Sequence, residues 1–309
     1  IKILSISSIL TLLCSKNLNN RSTKLSKFSL QFKCSVVYNL ELSMILKKIF
    51  SKAASIIKVF IFISLITNEQ LLANNNDNFI EDKGIVSIMY HRFNETKYPS
   101  TNINMDIFKK QIEIIKNNKI EFYDPKDFDN NFDAPKLQKM ILLTIDDGYI
   151  SFYKHAWPFL KKNKIPFLLF ISTKQVGNKG YMNWEQINEV SKEDFAYIGN
   201  HSYSHDYLVD FKFEEFKIDI NKAITNFKKN LGFNPIFFSY PFGEFSLKQK
   251  NFIKKNFKYA FGQHSGVIDI NKDKFELPRF PINEKYGDLK RFDFLVKFLP
   301  LQYKEIIPK

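Results

Sequence analysis

The stretch "ILLTIDDGYISF", residues 141–152, decides how the rest of the chain is interpreted. Its first five residues, 141–145, are apolar or β-branched and suit a buried strand. Two adjacent acids, Asp146 and Asp147, follow directly, and then a glycine that permits a sharp turn. Such a pair of like charges fits three roles: a metal site, an acid/base pair, or a turn that caps the next helix.

Strand-like and helix-like segments alternate along the chain around this stretch. We predict strands at 85–91, 140–145, 166–172, 195–199, 236–240 and 259–262, and helices at 105–118, 151–162, 183–193, 213–232, 246–256 and 288–298. Pro158 should kink the second helix, Asn183 should cap the third, and Gly232 should end the fourth. Several strands are apolar throughout, which indicates a parallel sheet covered by helices. The predicted fold is α/β, a single domain forming a distorted (β/α) barrel of six or seven parallel strands over residues 84–300.

The N-terminal part has a different composition. From Met44, four lysines precede a short apolar run, and a polar stretch ends at Ala73. This order is typical of a secretory signal peptide, and the apolar run is shorter than the ~20 residues of a membrane span. We therefore expect an exported protein, periplasmic or extracellular, without stable membrane insertion once the signal is cleaved. An uncleaved anchor is the alternative. The predicted segments are upstream readthrough at 1–43, a signal peptide at 44–73, a flexible leader at 74–83 and a tail at 301–309.

Charge and cysteine content exclude some classes of function. Of the 46 lysines and arginines, 10 lie in residues 1–73, which hold only 2 of the 32 acids, so the net charge falls from +14 for the chain to +6 for the remainder. Such a modest, dispersed charge does not favour nucleic-acid binding. Cys14 and Cys34 both lie before Met44. We therefore expect neither disulfides nor cysteine catalysis in the mature domain.

Four of the five histidines follow predicted strands: His91, His201, His205 and His264. The other, His155, lies inside a predicted helix and is expected to be structural. His201 and His205 are spaced so that a tight turn or helix lets both rings face one cation. Two imidazoles and one carboxylate suit zinc or another divalent transition metal, with positions open for water and substrate. The second aspartate could then accept a proton from an attacking water.

Each of these motifs has a simpler interpretation when taken alone. Asp-Asp-Gly is usually a turn and helix cap, and a His-x-x-x-His pair is often surface or core histidine. The "YPFG" stretch at 240–243 would be only a turn. All three follow predicted strands in one chain, and strand ends are where barrel chemistry gathers. Their combination therefore favours a catalytic site.

Three motifs resemble those of the polysaccharide deacetylase family, also called the NodB-homology domain: "TIDDG" at 144–148, "HSYSH" at 201–205 and "YPFG" at 240–243. The resemblance covers about residues 84–282. It implies a distorted (β/α) barrel and a metal-dependent deacetylase acting on acetylated glycans. By position, it implies Asp146 as general base and Asp147, His201 and His205 as metal ligands, with zinc as the expected ion. The backbone N–H of Phe242 would help to stabilise the oxyanion.

The chain departs from the family pattern at several positions. Ile145 replaces the usual Phe, and Ser239 stands where many members have an arginine that pairs with the catalytic aspartate. The "SYPFG" form and the early "MYHRF" are similar to the branch that includes poly-N-acetylglucosamine deacetylases. That similarity implies His91 as general acid for the leaving amine, with His264 as the rival. Arg279 could supply the missing guanidinium to Asp146.

The resemblance thus predicts a hydrolase that removes N-acetyl groups from an amino-sugar polysaccharide. Two alternatives remain: an O-acetyl esterase or small-amide deacylase using the same site, and a glycan-binding module without catalysis. Trp184 could line the sugar site or could pack a helix start against the barrel. The polysaccharide, the metal and the oligomeric state are left open.

Overall fold

The computed structural model describes residues 83–134, 138–269 and 271–297. In these ranges the strands are β1 (Gly84–Tyr90), β2 (Arg92–Phe93), β3 (Asn102–Ile103), β4 (Glu121–Phe122), β5 (Lys139–Ile145), β6 (Phe167–Ile171), β7 (Ala196–Asn200), β8 (Phe237–Ser239), β9 (Tyr259–Phe261) and β10 (Phe280–Pro281). The α-helices are α1 (Met105–Asn117), α2 (Asp127–Asn131), α3 (Trp157–Asn163), α4 (Trp184–Ser191), α5 (Phe213–Leu231), α6 (Leu247–Asn256) and α7 (Leu289–Lys297). The predicted elements are therefore present, and the short β2, β3, β4, β10 and α2 were not predicted.

The main sheet curls into an incomplete barrel of parallel strands. Its seven successive strands run in the order β10-β1-β5-β6-β7-β8-β9, and β4 pairs separately with β5. A bridge between Phe261 and Leu277 joins the end of β9 to the segment before β10, which brings the two edges together. The predicted α/β fold with six or seven parallel strands is confirmed.

Alternate residues of the strands face two different layers of the core. Leu142 and Leu168 belong to the cluster inside the barrel, together with Phe170. Their neighbours Leu143 and Leu169 belong to the cluster between the sheet and the helices. Burying one such side chain contributes about 1.5–3 kcal/mol, so strands that are apolar on both faces stabilise the barrel from both sides.

Helix ends follow the local chemistry of the sequence. Asn183 accepts a hydrogen bond from the backbone N–H of Gln186 and caps α4, as predicted. Gly232 ends α5 in the left-handed conformation at φ +83°, also as predicted. The kink expected at Pro158 takes another form. A π-helical turn, Phe152–Ala156, leads directly into α3, and Pro158 is the second residue of α3, so the wider turn lies where the proline ring and its missing N–H would disturb a regular helix.

The expected readthrough, signal peptide and most of the leader fall in residues 1–82, and the tail falls in 298–309; these lie outside the described residues. In the part of the chain that the structure describes, no helix combines the length and the apolar character needed to cross a membrane. The described residues all fall within one compact unit. The carboxyl ends of β1, β5, β7 and β8 meet at one edge of this unit, where the chemistry-bearing residues follow.

Candidate metal centre and active site

The turn after β5 directs both aspartates to one side. The backbone N–H of Asp146 still pairs with the carbonyl of Tyr90 at 2.9 Å, so the ladder with β1 continues to this residue. The chain then turns through Asp147 at φ +74° and Gly148 at φ +69°. A Cβ at Gly148 would lie 2.6 Å from the side chain of Ile171, so the close approach of β6 also requires glycine. Asp146 is fully buried and Asp147 nearly so.

A second tight turn after β7 presents the two histidines. His201 continues the ladder by donating from its backbone to the carbonyl of Ile171 at 2.9 Å. Ser202 and His205 both adopt positive φ, at +70° and +58°, and the Ser202 hydroxyl accepts the backbone N–H of His205 at 3.0 Å. The His-x-x-x-His spacing is therefore accommodated by a turn and not by a helix.

Asp219 of α5 holds this turn in place and was missed by the sequence analysis. Its two carboxylate oxygens accept the backbone N–H groups of Tyr203, at 2.9 Å, and Ser204, at 3.0 Å. Asp219 lies on the buried face of α5 beside Phe216 and Ile220. An acid at a core position of an amphipathic helix was the signal that could have identified it, because buried carboxylates need partners.

Asp147, His201 and His205 converge on one point. Asp147 Oδ1 lies 3.0 Å from His205 Nε2 and 3.5 Å from His201 Nε2. One potential ligand atom from each residue lies within 4.8 Å of the others. His201 Nδ1 is 2.7 Å from the carbonyl oxygen of Ser239, which makes Nδ1 the protonated nitrogen and turns the lone pair of Nε2 toward the cluster.

The donor set fits a divalent cation. His201 Nε2 is buried and has no hydrogen-bond partner among the described residues, and the same is true of Asp146 Oδ2, 3.6 Å away. Buried polar atoms are rarely left without a partner. Two imidazole nitrogens and one carboxylate are the donor types that zinc and similar ions bind, with positions left for water and substrate.

Burial and neighbouring charges shift the pKa values of these residues in opposite directions. Burial would raise the pKa of Asp147, but the contact with His205 and the charges of His91 and His201 hold it well below its usual range. Burial lowers the pKa of His201 to about 4, although the aspartates partly offset the effect. Burial also acts to lower the pKa of His205, but its contact with Asp147 outweighs this and raises it. The cluster therefore combines a carboxylate with one neutral and one readily protonated imidazole.

Asp146 pairs with the guanidinium of Arg279, which comes from the C-terminal part of the sequence. Arg279 Nη1 donates to Asp146 Oδ1 at 2.7 Å, and both side chains are fully buried. Arg279 Nη2 donates to Ser239 Oγ at 2.8 Å, and Nε donates to the carbonyl of Gly262 at 2.9 Å. Burial would raise the pKa of Asp146, but Arg279, with His201 and His91, holds it below its usual range. Asp146 is therefore an anion whose Oδ1 accepts from Arg279 and whose Oδ2 has no hydrogen-bond partner in the described part of the chain.

The structure places the two candidate acids differently. His91 follows Tyr90, which pairs in register with Ile145, so His91 lies beside Asp146. Its charge acts on both aspartates. His264 is half-buried, its Nδ1 has no hydrogen-bond partner in the described structure, and its backbone carbonyl accepts the N–H of Arg279 at 2.9 Å. Burial, with the charges of Lys272 and Arg279, lowers the pKa of His264 to about 4.

Two aromatic residues complete the comparison with the sequence predictions. Phe242 has φ +58° and is half exposed, with its ring centroid 5.1 Å from that of His205. Trp184, considered for the sugar site, packs instead against the outer core, with its ring edge-to-face on Phe227 at 5.7 Å. Trp184 thus makes the packing contact that the second interpretation expected.

Comparison with known proteins agrees with this geometry. Residues 133–260 match the family model for polysaccharide deacetylase. The poly-β-1,6-N-acetyl-D-glucosamine N-deacetylase of Staphylococcus aureus (strain MSSA476) is 25% identical over 209 residues, which cover 62% of this chain and 72% of that protein. The enzyme of the same name from Staphylococcus epidermidis is 25% identical over 191 residues, or 57% of this chain and 66% of that protein.

Solved structures share the fold. IcaB from Ammonifex degensii superposes with a TM-score of 0.63 at 26% identity, over 70% of this chain and 97% of that one. The Streptococcus pyogenes deacetylase PplD superposes with a TM-score of 0.62 at 21% identity, over 70% of this chain and 98% of that one. The motifs, the barrel and the family match agree: residues 133–260 match a polysaccharide deacetylase domain, and the chain is similar to hydrolases that act on carbon–nitrogen bonds other than peptide bonds.

Proposed function

We propose that this protein is a metal-dependent hydrolase that removes N-acetyl groups from an amino-sugar polysaccharide, with poly-β-1,6-N-acetylglucosamine as the substrate class. One observation carries the proposal: Asp147, His201 and His205 converge beside an anionic Asp146, whose Oδ2 accepts no hydrogen bond from the described residues. The names of the staphylococcal relatives supply the polymer.

Asp147, His201 and His205 would hold the ion, and zinc is the expected one because of its preference for this donor set. When bound, a divalent cation would supply a Lewis acid that polarises the acetyl carbonyl and lowers the pKa of a water molecule. The carbonyl of Ser239 fixes the tautomer of His201, and Asp219 fixes the turn that carries His205. These supports orient the ligands before any ion binds.

Asp146 would act as the general base. Its free Oδ2 would take the proton of the water that attacks the acetyl carbon, while Arg279 keeps Oδ1 occupied and the carboxylate in place. The guanidinium makes Asp146 a weaker base than a free carboxylate would be. It also stops a buried carboxyl from being protonated at neutral pH, so that a proton acceptor is always present.

His91 would donate a proton to the departing nitrogen. Its position beside both aspartates supports this role. His264 is the weaker candidate, because burial keeps it neutral until the pH approaches 4. The backbone N–H of Phe242, in the turn beside His205, would donate to the oxygen on which negative charge develops. We further propose export through the segment at 44–73.

Acetate release tests the proposal directly. We would assay β-1,6-linked N-acetylglucosamine pentamer, chitin pentamer, peptidoglycan and acetylated xylan, each with and without a chelator. The proposal expects release from the β-1,6-linked pentamer, loss of release with the chelator, and recovery with zinc. Release from xylan alone would identify an esterase, and binding of the pentamer without any release would identify a glycan-binding module.

A further inference from the structure

Three tyrosine rings and one guanidinium form a stack beside the Asp/His cluster. The central carbon of the Arg92 guanidinium lies 3.5 Å from the centroid of the Tyr149 ring and 4.1 Å from that of Tyr98. The Tyr181 ring lies 4.9 Å from that of Tyr149, at an interplanar angle of 32°. We name these four residues, Arg92, Tyr98, Tyr149 and Tyr181, the aromatic row.

The aromatic row begins at the same strand ends as the catalytic residues. Arg92 directly follows His91, and Tyr149 is two residues after Asp147. Backbone hydrogen bonds fix the segment that carries Tyr181: Ile150 N–H donates to the carbonyl of Gly180, and Met182 N–H donates to that of Gly148, both at 2.9 Å. The row is therefore built into the turn that positions Asp147.

The two residues in the middle of the row are largely buried, and the two at its ends are more exposed to solvent. Tyr149 is buried and Arg92 nearly so, with the guanidinium held by Glu95 at 2.7 Å. Tyr98 is 41% exposed and Tyr181 is half-buried. An arginine stacked between rings has lost most of its freedom, so a ligand would meet a surface that is already ordered.

The chemistry of this surface matches a sugar ring. A hexosamine has apolar C–H faces that pack on aromatic rings and hydroxyl and amide groups that accept from a guanidinium or a tyrosine hydroxyl. On the proposed function, the polymer must continue on at least one side of the sugar that loses its acetyl group. We propose that the aromatic row binds the adjacent N-acetylglucosamine unit and so makes the enzyme favour oligomers over single sugars.

The two open ends of the row provide the test. Tyr98→Ala and Tyr181→Ala should each raise the dissociation constant and KM for a β-1,6-linked N-acetylglucosamine pentamer about tenfold, as expected for truncation of an aromatic anchor. The kcat should change less than about twofold, because the lost contact is the same in the ground state and the transition state. Tyr181→Phe should retain most of the affinity, since it keeps the ring. KM for N-acetylglucosamine itself should not change.

Phe233→Ala is the matched control. Phe233 is 43% exposed, close to the value for Tyr98, but it precedes β8 and so lies near the opposite ends of the strands. Pentamer affinity is measured by calorimetry on metal-free protein, which separates this inference from the proposed reaction. Weaker binding by both Ala variants supports the row even if no acetate is released. Wild-type affinity in both variants, or a wild-type protein that does not bind the pentamer, overturns it.

Discussion

Arg279 and Asp146 lie 133 positions apart in the chain, yet they form a fully buried ion pair at 2.7 Å. The same guanidinium binds Ser239, the residue that replaces the arginine found in many family members. A serine there leaves space for a side chain that arrives from the segment before β10. A guanidinium thus lies beside Asp146, as the sequence analysis expected of Arg279, although it comes from a distant part of the sequence.

Loss of Arg279 should destabilise the fold through Asp146. Arg279→Met leaves a buried carboxylate without its partner, which costs roughly 3–5 kcal/mol in the free energy of unfolding. Adding Asp146→Asn removes the stranded charge and should restore a substantial part of that loss. Urea unfolding of the wild type, both single variants and the double variant measures this coupling.

Arg291→Met is the control for that experiment. Arg291 is exposed and stacks on Tyr286 at 4.7 Å, so its loss should cost no more than about 1 kcal/mol. Additive effects of Arg279→Met and Asp146→Asn would contradict the assigned pairing.

The two aspartates should separate chemistry from metal binding. Asp146→Asn keeps all three proposed ligands and should bind zinc as the wild type does, but acetate release should fall at least about a hundredfold because the general base is lost. Asp147→Asn should instead weaken zinc binding, since the ligand carboxylate is removed. Zinc affinity is measured by competition with a chromogenic chelator. Equal turnover in Asp146→Asn and the wild type would refute the role of Asp146.

Asp219 should influence the metal without touching it. Asp219→Asn leaves one carbonyl oxygen for two backbone N–H donors, so the turn carrying His205 loses a support. Zinc affinity should fall about tenfold or more, as is usual when an outer support of a ligand is removed. Glu214→Gln, on the exposed side of α5, is the matched control and should bind zinc normally. An unchanged affinity in Asp219→Asn would show that the turn is rigid without it.

Whether a structural feature can be predicted from the sequence depends on whether its interactions join residues that are near or distant in the chain. The apolar pattern of β5 and the caps at Asn183 and Gly232 are local, so the strand and both helix ends could be predicted. The short strand β10 has no local signal, because its two residues become a strand only by pairing with Ile88 and Met89 of β1. Pairing of this kind depends on the closed fold.

The same distinction applies to the site. Spacing indicated His201 and His205, and the family resemblance implied Asp147 as the third ligand; their convergence at the strand ends is a property of parallel barrels. Asp219 could not be identified from a motif, because its role depends on the contact between α5 and a turn more than a dozen residues away. Trp184, an aromatic residue near a motif, packs against Phe227 in the structure.

His264 should make the fold sensitive to acid. Its pKa is lowered to about 4 in the folded protein, chiefly by burial, against about 6.5 in an unfolded chain. Between these values the unfolded state binds more protons, so stability falls as the pH drops from about 6.5 toward 4 and is unaffected above that range. With a discount for partial exposure, the cost at pH 5 is about 1 kcal/mol in the free energy of unfolding.

In His264→Gln, urea unfolding should therefore show a smaller loss of stability between pH 7 and pH 5 than in the wild type. His155→Gln, which removes an exposed histidine, is the control and should lose as much stability between pH 7 and pH 5 as the wild type does. If His264→Gln also lost as much stability as the wild type, His264 would not be held neutral by burial.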